Sequence, residues 1–298
     1  MKVLDFGSLN YDYVYNVDHM LLPGETQAST GMETFCGGKG LNQSMALAKA
    51  GVPVYMAGSI GEEGQQFLDL CQENQVNTEM IRQIPGKSGH TIIQVDKDAQ
   101  NSILLFGGAN RSQSREHMDQ VLEHFSKGDI ILLQNEINEL DYLIDKAYER
   151  EMTIVLNPSP FDSALEACDM SKVSIFLLNE VEGAQVAGGS KDPDEILGLL
   201  REKFPHAQVV LTLGKDGAVY QDNRTGERTA QPCIPVKALD TTAAGDTFTG
   251  YFIAGLLKEM PMADIMRMCA TASSIAVSRK GATASIPSVE EVEEQLSK

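Results

Sequence analysis

The run DTTAAGDTFTG, residues 240–250, places one carboxylate beside a stretch of bare backbone. Ala243, Ala244 and Gly245 lead into Asp246, and Phe248, Tyr251, Phe252, Ala254, Leu256 and Leu257 then form an apolar helical pattern. Small side chains let successive N–H groups aim at one point, and the orphan amides and positive dipole end of a helix make that point an anion site. A carboxylate at the edge of an anion site is the odd element, since like charges repel. It makes sense if it takes a proton from a nucleophile while the amides hold charge developing on a phosphoryl group. An ordinary Asp-capped helix start is the plain structural alternative.

A second glycine cluster, FCGGKGLNQSMALAKAG, covers residues 35–51. Gly37, Gly38 and Gly40 permit close backbone approach, and the pattern predicts a helix from near Leu41 to Gly51. Lys39 can carry charge to a phosphate, and Asn42 can hydrogen-bond a hydroxyl. The cluster is not a Walker P-loop: Glu33 stands where the first Gly belongs, and Gly40 where Ser or Thr should follow Lys39. Nor does a GxGxxG follow the first strand, where Gly7 stands alone, which counts against a dinucleotide oxidoreductase. Asn10 and Asp12 suit polyol hydroxyls or a turn. Glu136 ends the apolar run IILLQNE and is either a crevice residue or a surface charge.

These residues need elements to hold them. Apolar runs at 2–8, 54–58, 129–134, 153–157, 174–178 and 208–213 read as core strands. Helical segments at 42–51, 63–75, 112–126, 139–150, 193–203, 245–258 and 262–279 lie between or after them. The alternation predicts an α/β fold with a mainly parallel central sheet flanked by helices, one domain over 1–298. Residues 10–35 and 88–106 break the rhythm as strand-like pieces without crossover helices, and predict a small antiparallel β-sheet lid. Such a flap could cover a substrate, and its exposed edges suggest a homodimer surface.

Composition narrows the partners. The net charge of −18 argues against nucleic acid and against anionic membranes. It also means that a polyanion must be captured by local donors and a metal ion. The start of the chain shows no signal pattern, and no apolar run approaches the ~18 residues of a membrane span. Cys36, Cys71, Cys168, Cys233 and Cys269 are dispersed, without CxxC or metal spacing. They read as reduced, buried thiols of a cytoplasmic protein.

Nine motifs in order resemble those of the ribokinase-like (PfkB) carbohydrate kinases: GSLNYD, LLPGE, GGKGLNQ, GSIGEEG, GGAN, LLNEVEG, LTLGKDG, AAGDTF and AVSRKGATASIP. The resemblance implies a Rossmann-type ribokinase fold and ATP-dependent phosphorylation of a sugar hydroxyl, with D-ribose to D-ribose 5-phosphate the expected reaction. Asp246 would be the base, and the amides of Ala243, Ala244, Gly245 and Asp246 the anion hole. Asn10, Asp12, Gly38, Asn42 and Glu136 would bind the sugar, with Lys39 close to the transferred phosphate. Asn179 and Glu182 would lie near the nucleotide phosphates and hold Mg²⁺ through water, although the same pair is also a capping box. Thr212, Gly214 and Gly217 would contact the nucleotide. Asp240 and Ser285, with carbonyls of Thr242, Ala276, Arg279 and Gly281, would ligate a monovalent cation, usually K⁺.

The chain departs from the family pattern at Cys269-Ala270-Thr271, where Asn or His often lies near the nucleotide base. ATP-over-GTP preference is therefore not fixed by the motifs. Competing substrates are fructose, deoxyribose, tagatose phosphate or a nucleoside; a catalytically silent sugar sensor on the same fold is the competing class. A phosphorylated sugar would want a base in the flap, yet residues 10–35 hold no Lys or Arg and Arg111 is the nearest candidate.

Overall fold

In the computed structural model, which describes residues 1–98 and 100–297, the alternating pattern forms two separate sheets. The chain begins with β1 (Val3–Phe6), β2 (Asn10–Asn16), β3 (Gly31–Gly37), α1 (Lys39–Lys49), β4 (Val54–Ile60), α2 (Gln65–Glu73) and β5 (Asn77–Gln83). Next come β6 (Gly89–Val95), β7 (Asn101–Phe106), α3 (Arg115–Leu122), β8 (Ile130–Gln134), α4 (Leu140–Glu149) and β9 (Thr153–Asn157). Then follow β10 (Ile175–Asn179), α5 (Glu180–Ala187), α6 (Pro193–Lys203), β11 (Gln208–Thr212), β12 (Ala218–Asp222) and β13 (Arg228–Gln231). Helices α7 (Ala244–Leu257), α8 (Met262–Val277) and α9 (Val289–Leu296) complete it. The expected core strands and helices are all present. Helix α1 starts two residues before Leu41, because Gly38 makes the turn itself at φ 94° and Lys39 already lies in the first helical turn.

The large sheet runs β13-β12-β11-β10-β9-β8-β1-β4-β5. Every pairing from β11 to β5 is parallel, and the β11–β12 and β12–β13 pairings at the other edge are antiparallel. Strand order reverses at β1, which lies between β4 and β8, so the ligand crevice of such a sheet opens beyond the carboxyl ends of β1 and β8. Strand periodicity sends Val3, Leu132, Val155, Leu177 and Val210 into one core layer with Leu41, Met45 and Phe252 of α1 and α7. Their neighbours Leu4, Leu133, Leu156, Leu178 and Leu211 enter the other, with residues of α3, α4 and α6. The same periodicity places Gln134, Asn157, Asn179 and Thr212 at the strand ends on the α1–α7 side. Register aligns Gln134 with Asn157 and Asn179 with Thr212.

The second sheet, β3-β2-β6-β7, contains the two irregular stretches. It is not the purely antiparallel flap expected: β2 and β6 pair in parallel, Asn10 opposite Gly89 and Asp12 opposite Thr91. Alternation alone cannot reveal this, because parallel and antiparallel strands share a period of two. The expected hairpin is β6–β7, its turn containing Asp96, Lys97 and Asp98. Among the described residues, no helix is long and apolar enough to cross a membrane.

Candidate active site

Asp246 lies in the first turn of α7 with 7% of its surface exposed. Its Oδ2 accepts from Asn42 Nδ2 at 3.0 Å and its Oδ1 from Gln43 Nε2 at 2.8 Å, so two adjacent residues of α1 grip both oxygens. Ala243 enters the helix in the left-handed region, φ 59°, a conformation that costs a residue with a Cβ. No side chain caps α7. The Ala244 amide makes a long contact, 3.3 Å, with the Thr241 carbonyl; those of Gly245 and Asp246 have no acceptor among the described residues.

On the side of the second sheet, Lys39 N donates to Glu136 Oε2 at 3.0 Å, and the Ser8 hydroxyl donates to the same oxygen. Desolvation disfavours the charge of Lys39, but the carboxylates of Asp246, Glu136 and Glu182 outweigh it and hold the ammonium pKa above the ordinary lysine value. Asp12 Oδ1 accepts from Thr91 Oγ1 at 2.5 Å. Burial pushes the Asp12 carboxyl up to about 6; the Thr91 bond opposes the rise, and the Glu136 charge adds to it. Asn10 Oδ1 accepts from Asn110 Nδ2 at 2.7 Å, and Asn110 itself brackets the backbone of Leu9. Gly38 packs its bare Cα against Asn10 and Ser8. Arg111 is committed elsewhere: its guanidinium donates to the Ile137 and Asn135 carbonyls and pairs with Asp162 at 3.8 Å.

Beyond Asp246, a polar cavity of about 210 Å³ is lined by Lys39, Asn157, Asn179, Glu182, Gly245 and Asp246. Asn179 and Glu182 form the expected capping box of α5: Asn179 Oδ1 accepts from Val181 and Glu182 N–H, and Glu182 Oε2 accepts from Asn179 N–H. Glu182 Oε2 also accepts from Asn157 Nδ2 at 3.2 Å. Thr212, Ala244, Gly245 and Phe248 continue into a larger, mostly apolar cavity of about 540 Å³, where Gly214, Gly217 and Ala270 also form the wall. Cys233 lines it too and is exposed, contrary to the expectation that all five thiols are buried; it follows edge strand β13, outside the core.

Asp240 ties two loops together. Its Oδ1 accepts from Thr242 N and Oγ1 at 2.9 and 2.6 Å, and its Oδ2 from Gly281 N at 3.0 Å. Burial works against its charge, but these bonds and nearby Lys280 keep the pKa below the ordinary carboxylate value. Ser285 is fully buried and donates to the Ala282 carbonyl at 2.8 Å; the Ala276 carbonyl accepts from Arg279 N at 3.0 Å.

Of the expected residues, Lys39, Asn179, Glu182, Thr212, Gly245 and Asp246 line one polar cavity. Asn10, Asp12, Gly38, Asn42 and Glu136 lie on its α1 side or in the second sheet, and the Asp240–Ser285 group is not in its lining. Sequence reasoning missed Ser8, Gln43, Thr91, Asn110 and Asn157, all in contact with expected residues. The missed signal is polarity where the pattern is apolar: Asn157 ends the buried run TIVLN, and Gln43 lies on a buried helix face.

The profile of the pfkB family carbohydrate kinases matches residues 1–289. The chain is 32% identical to a ribokinase of Haemophilus influenzae, covering 97% of this chain and 96% of that protein. It is 30% identical to a deoxyribokinase of Salmonella typhimurium, covering 100% and 99%. The structure of Arabidopsis thaliana ribokinase complexed with ribose and ATP superposes with a TM-score of 0.88 at 25% identity, over 100% of this chain and 99% of that one.

Proposed function

The chain belongs to the pfkB family of carbohydrate kinases, and from that premise we propose that it transfers the γ-phosphoryl group of ATP to D-ribose, giving D-ribose 5-phosphate. The observation that carries this reading is Asp246, gripped by Asn42 and Gln43 at the edge of a polar cavity whose wall is the uncapped start of α7. A carboxylate so held takes the proton of an attacking hydroxyl. The α7 amides and Lys39 face the charge on the transferred group, so catalysis is positioning plus electrostatic stabilisation. Asn10, Asp12, Gly38, Asn42 and Glu136 bind the other hydroxyls. The apolar cavity takes the nucleoside part of ATP, with Thr212, Gly214 and Gly217 in its wall. Residues 10–35 hold no Lys or Arg and Arg111 is engaged by the Ile137 and Asn135 carbonyls and Asp162, which favours an unphosphorylated sugar.

Mg²⁺ fits the phosphate side. Among the described residues no three His, Cys, Asp or Glu side chains converge into a metal cluster; Glu182 alone, flanked by Asn157 and Asn179, suits a cation that keeps most of its water. When bound, the ion neutralises phosphate oxygen charge. Asp240, Ser285 and the carbonyls of Thr242, Ala276, Arg279 and Gly281 would hold K⁺, whose weak charge suits carbonyl donors. The loop they stiffen leads into α7, so turnover in potassium should exceed that in a bulky organic cation; equal rates would remove the K⁺ site. The second sheet is read as a lid over the sugar and as the face of a homodimer. The free thiols suit a cytoplasmic protein.

The decisive experiment measures ADP release with D-ribose, 2-deoxy-D-ribose, D-fructose, tagatose 6-phosphate and inosine. D-ribose should give the highest kcat/KM. A preference for deoxyribose would reassign the sugar, and no turnover with any of them would sink the reading. Asp246→Asn should lower kcat by at least about a hundredfold, with sugar affinity by calorimetry nearly unchanged.

A further inference from the structure

Asp5 lies in the middle of β1 with none of its surface exposed, opposite Met56 of β4 and Leu132 of β8. A carboxyl at the centre of a parallel sheet gives up hydration that an apolar residue would never need. Its neighbours Leu4 and Phe6 enter the far core layer, so Asp5 faces α1. There its Oδ2 is 2.9 Å from the Ser44 hydroxyl, and its Oδ1 accepts from Gln134 Nε2 at 3.0 Å. Burial pushes this carboxyl up to about 8, the Gln134 and Ser44 bonds oppose the rise, and the Asp246 charge adds to it. Asp5 thus accepts from both Gln134 Nε2 and Ser44 Oγ, and these two bonds fix its carboxyl plane.

The bonds continue toward the crevice. Gln134 Nε2 also donates to Gln43 Oε1 at 2.8 Å, and Gln43 Nε2 donates to Asp246 Oδ1 at 2.8 Å and to Asn157 Oδ1 at 3.3 Å. Asn157 Nδ2 donates in turn to Glu182 Oε2. Gln43 and Gln134 are completely buried. Space for the Gln134 amide exists because Gly7 has no side chain: a Cβ there would collide with Gln134 Oε1. Among the described residues that oxygen has no partner, so the hydrogen bonds that orient the Gln134 amide are the two from its NH₂ group.

We propose that Asp5, Gln134 and Gln43 are positioning residues that fix the plane and direction of the Asp246 carboxylate and, through Asn157, set it in register with Glu182. The proposal rests on Asp246 being the proton acceptor. Gln43 is the joint. Its NH₂ touches the base and its carbonyl is held from behind by a group anchored in the sheet, so the base cannot turn unless the sheet-borne amides turn with it. A misplacement of about 1 Å at a reacting group can cost on the order of a hundredfold in rate.

The test uses the full chain with ATP and the sugar turned over fastest in the panel above. Gln43→Met and Asp5→Val should each lower kcat about 10- to 100-fold while the KM values for sugar and ATP change less than about threefold. Asp5→Asn, which keeps an oxygen to accept from Gln134, should recover part of what Asp5→Val loses. If Asp5→Val does not fold, Gln134→Met decides by the same split. Unchanged kcat in folded Gln43→Met, or a rise in both KM values that matches the loss in kcat, overturns the relay while Asp246→Asn still abolishes turnover. Full turnover by Asp246→Asn would remove the base itself, and the relay with it.

Discussion

If Asp12 binds the sugar as proposed, this one residue ties binding to pH. Its carboxyl lies between Thr91 and the Glu136 charge and titrates at about 6 instead of 3.8. Above that value it would be an ionised acceptor for the proposed sugar's hydroxyls; below it, a proton occupies one oxygen and the acceptor capacity falls. The sugar KM should therefore rise as pH drops from 7 to 5, and Asp12→Asn should show a high KM that does not change over this range. A flat wild-type KM would refute the role. Asp246, Lys39 and Asn42 were legible because they sit in small-residue turns that no ordinary helix needs. Gln43 and Asn157 were not, since an amide on a buried face looks like any polar residue until its partners are known.

At the scale of elements, the separation of α1 and α7 sets the grip on the base. Gly250 lies one turn beyond Asp246, and Ala46 one turn beyond Asn42; a Cβ on Gly250 would collide with Ala46. Gly250→Ala should force the helices apart and lengthen the Asn42–Asp246 bond. The cost expected is about 1–3 kcal/mol of stability, typical of overpacking, together with a lower kcat. Chemical denaturation and steady-state assays check both, and a variant with unchanged kcat and stability would show that the helix spacing is not set there. The central strands and α6 were readable from apolar runs and flanking turns. Strands β5, β12 and β13 were not: β5 and β13 lie at the sheet edges, where burial is partial, and β12, although mostly buried, breaks its apolar run with Gln221 and Asp222.

Over the whole molecule, the net charge of −18 means that phosphate recognition, as proposed, must rely on local donors, Lys39 and the amides at the start of α7. The second sheet leaves a different mark. Strand β7 is exposed along its length, and Ile103, Leu104, Leu105 and Phe106 form an apolar edge, Leu104 with 68% of its surface exposed. Such an edge invites pairing with another chain. If the lid is the dimer face, Leu104→Glu should shift the protein to monomer in analytical ultracentrifugation; an unchanged sedimentation coefficient would place any dimer elsewhere.

The sequence by itself determined the layered α/β plan, the glycine-bared turns and the acid at the head of a helix. Those are set by local periodicity and by side chains too small to shield the backbone. Only the tertiary structure decided that β2 runs parallel to β6, that α1 supplies both grips on Asp246, and that a buried acid in β1 stands behind them. These depend on contacts between residues far apart in the chain, and local pattern carries no information about which distant partner a polar atom will meet.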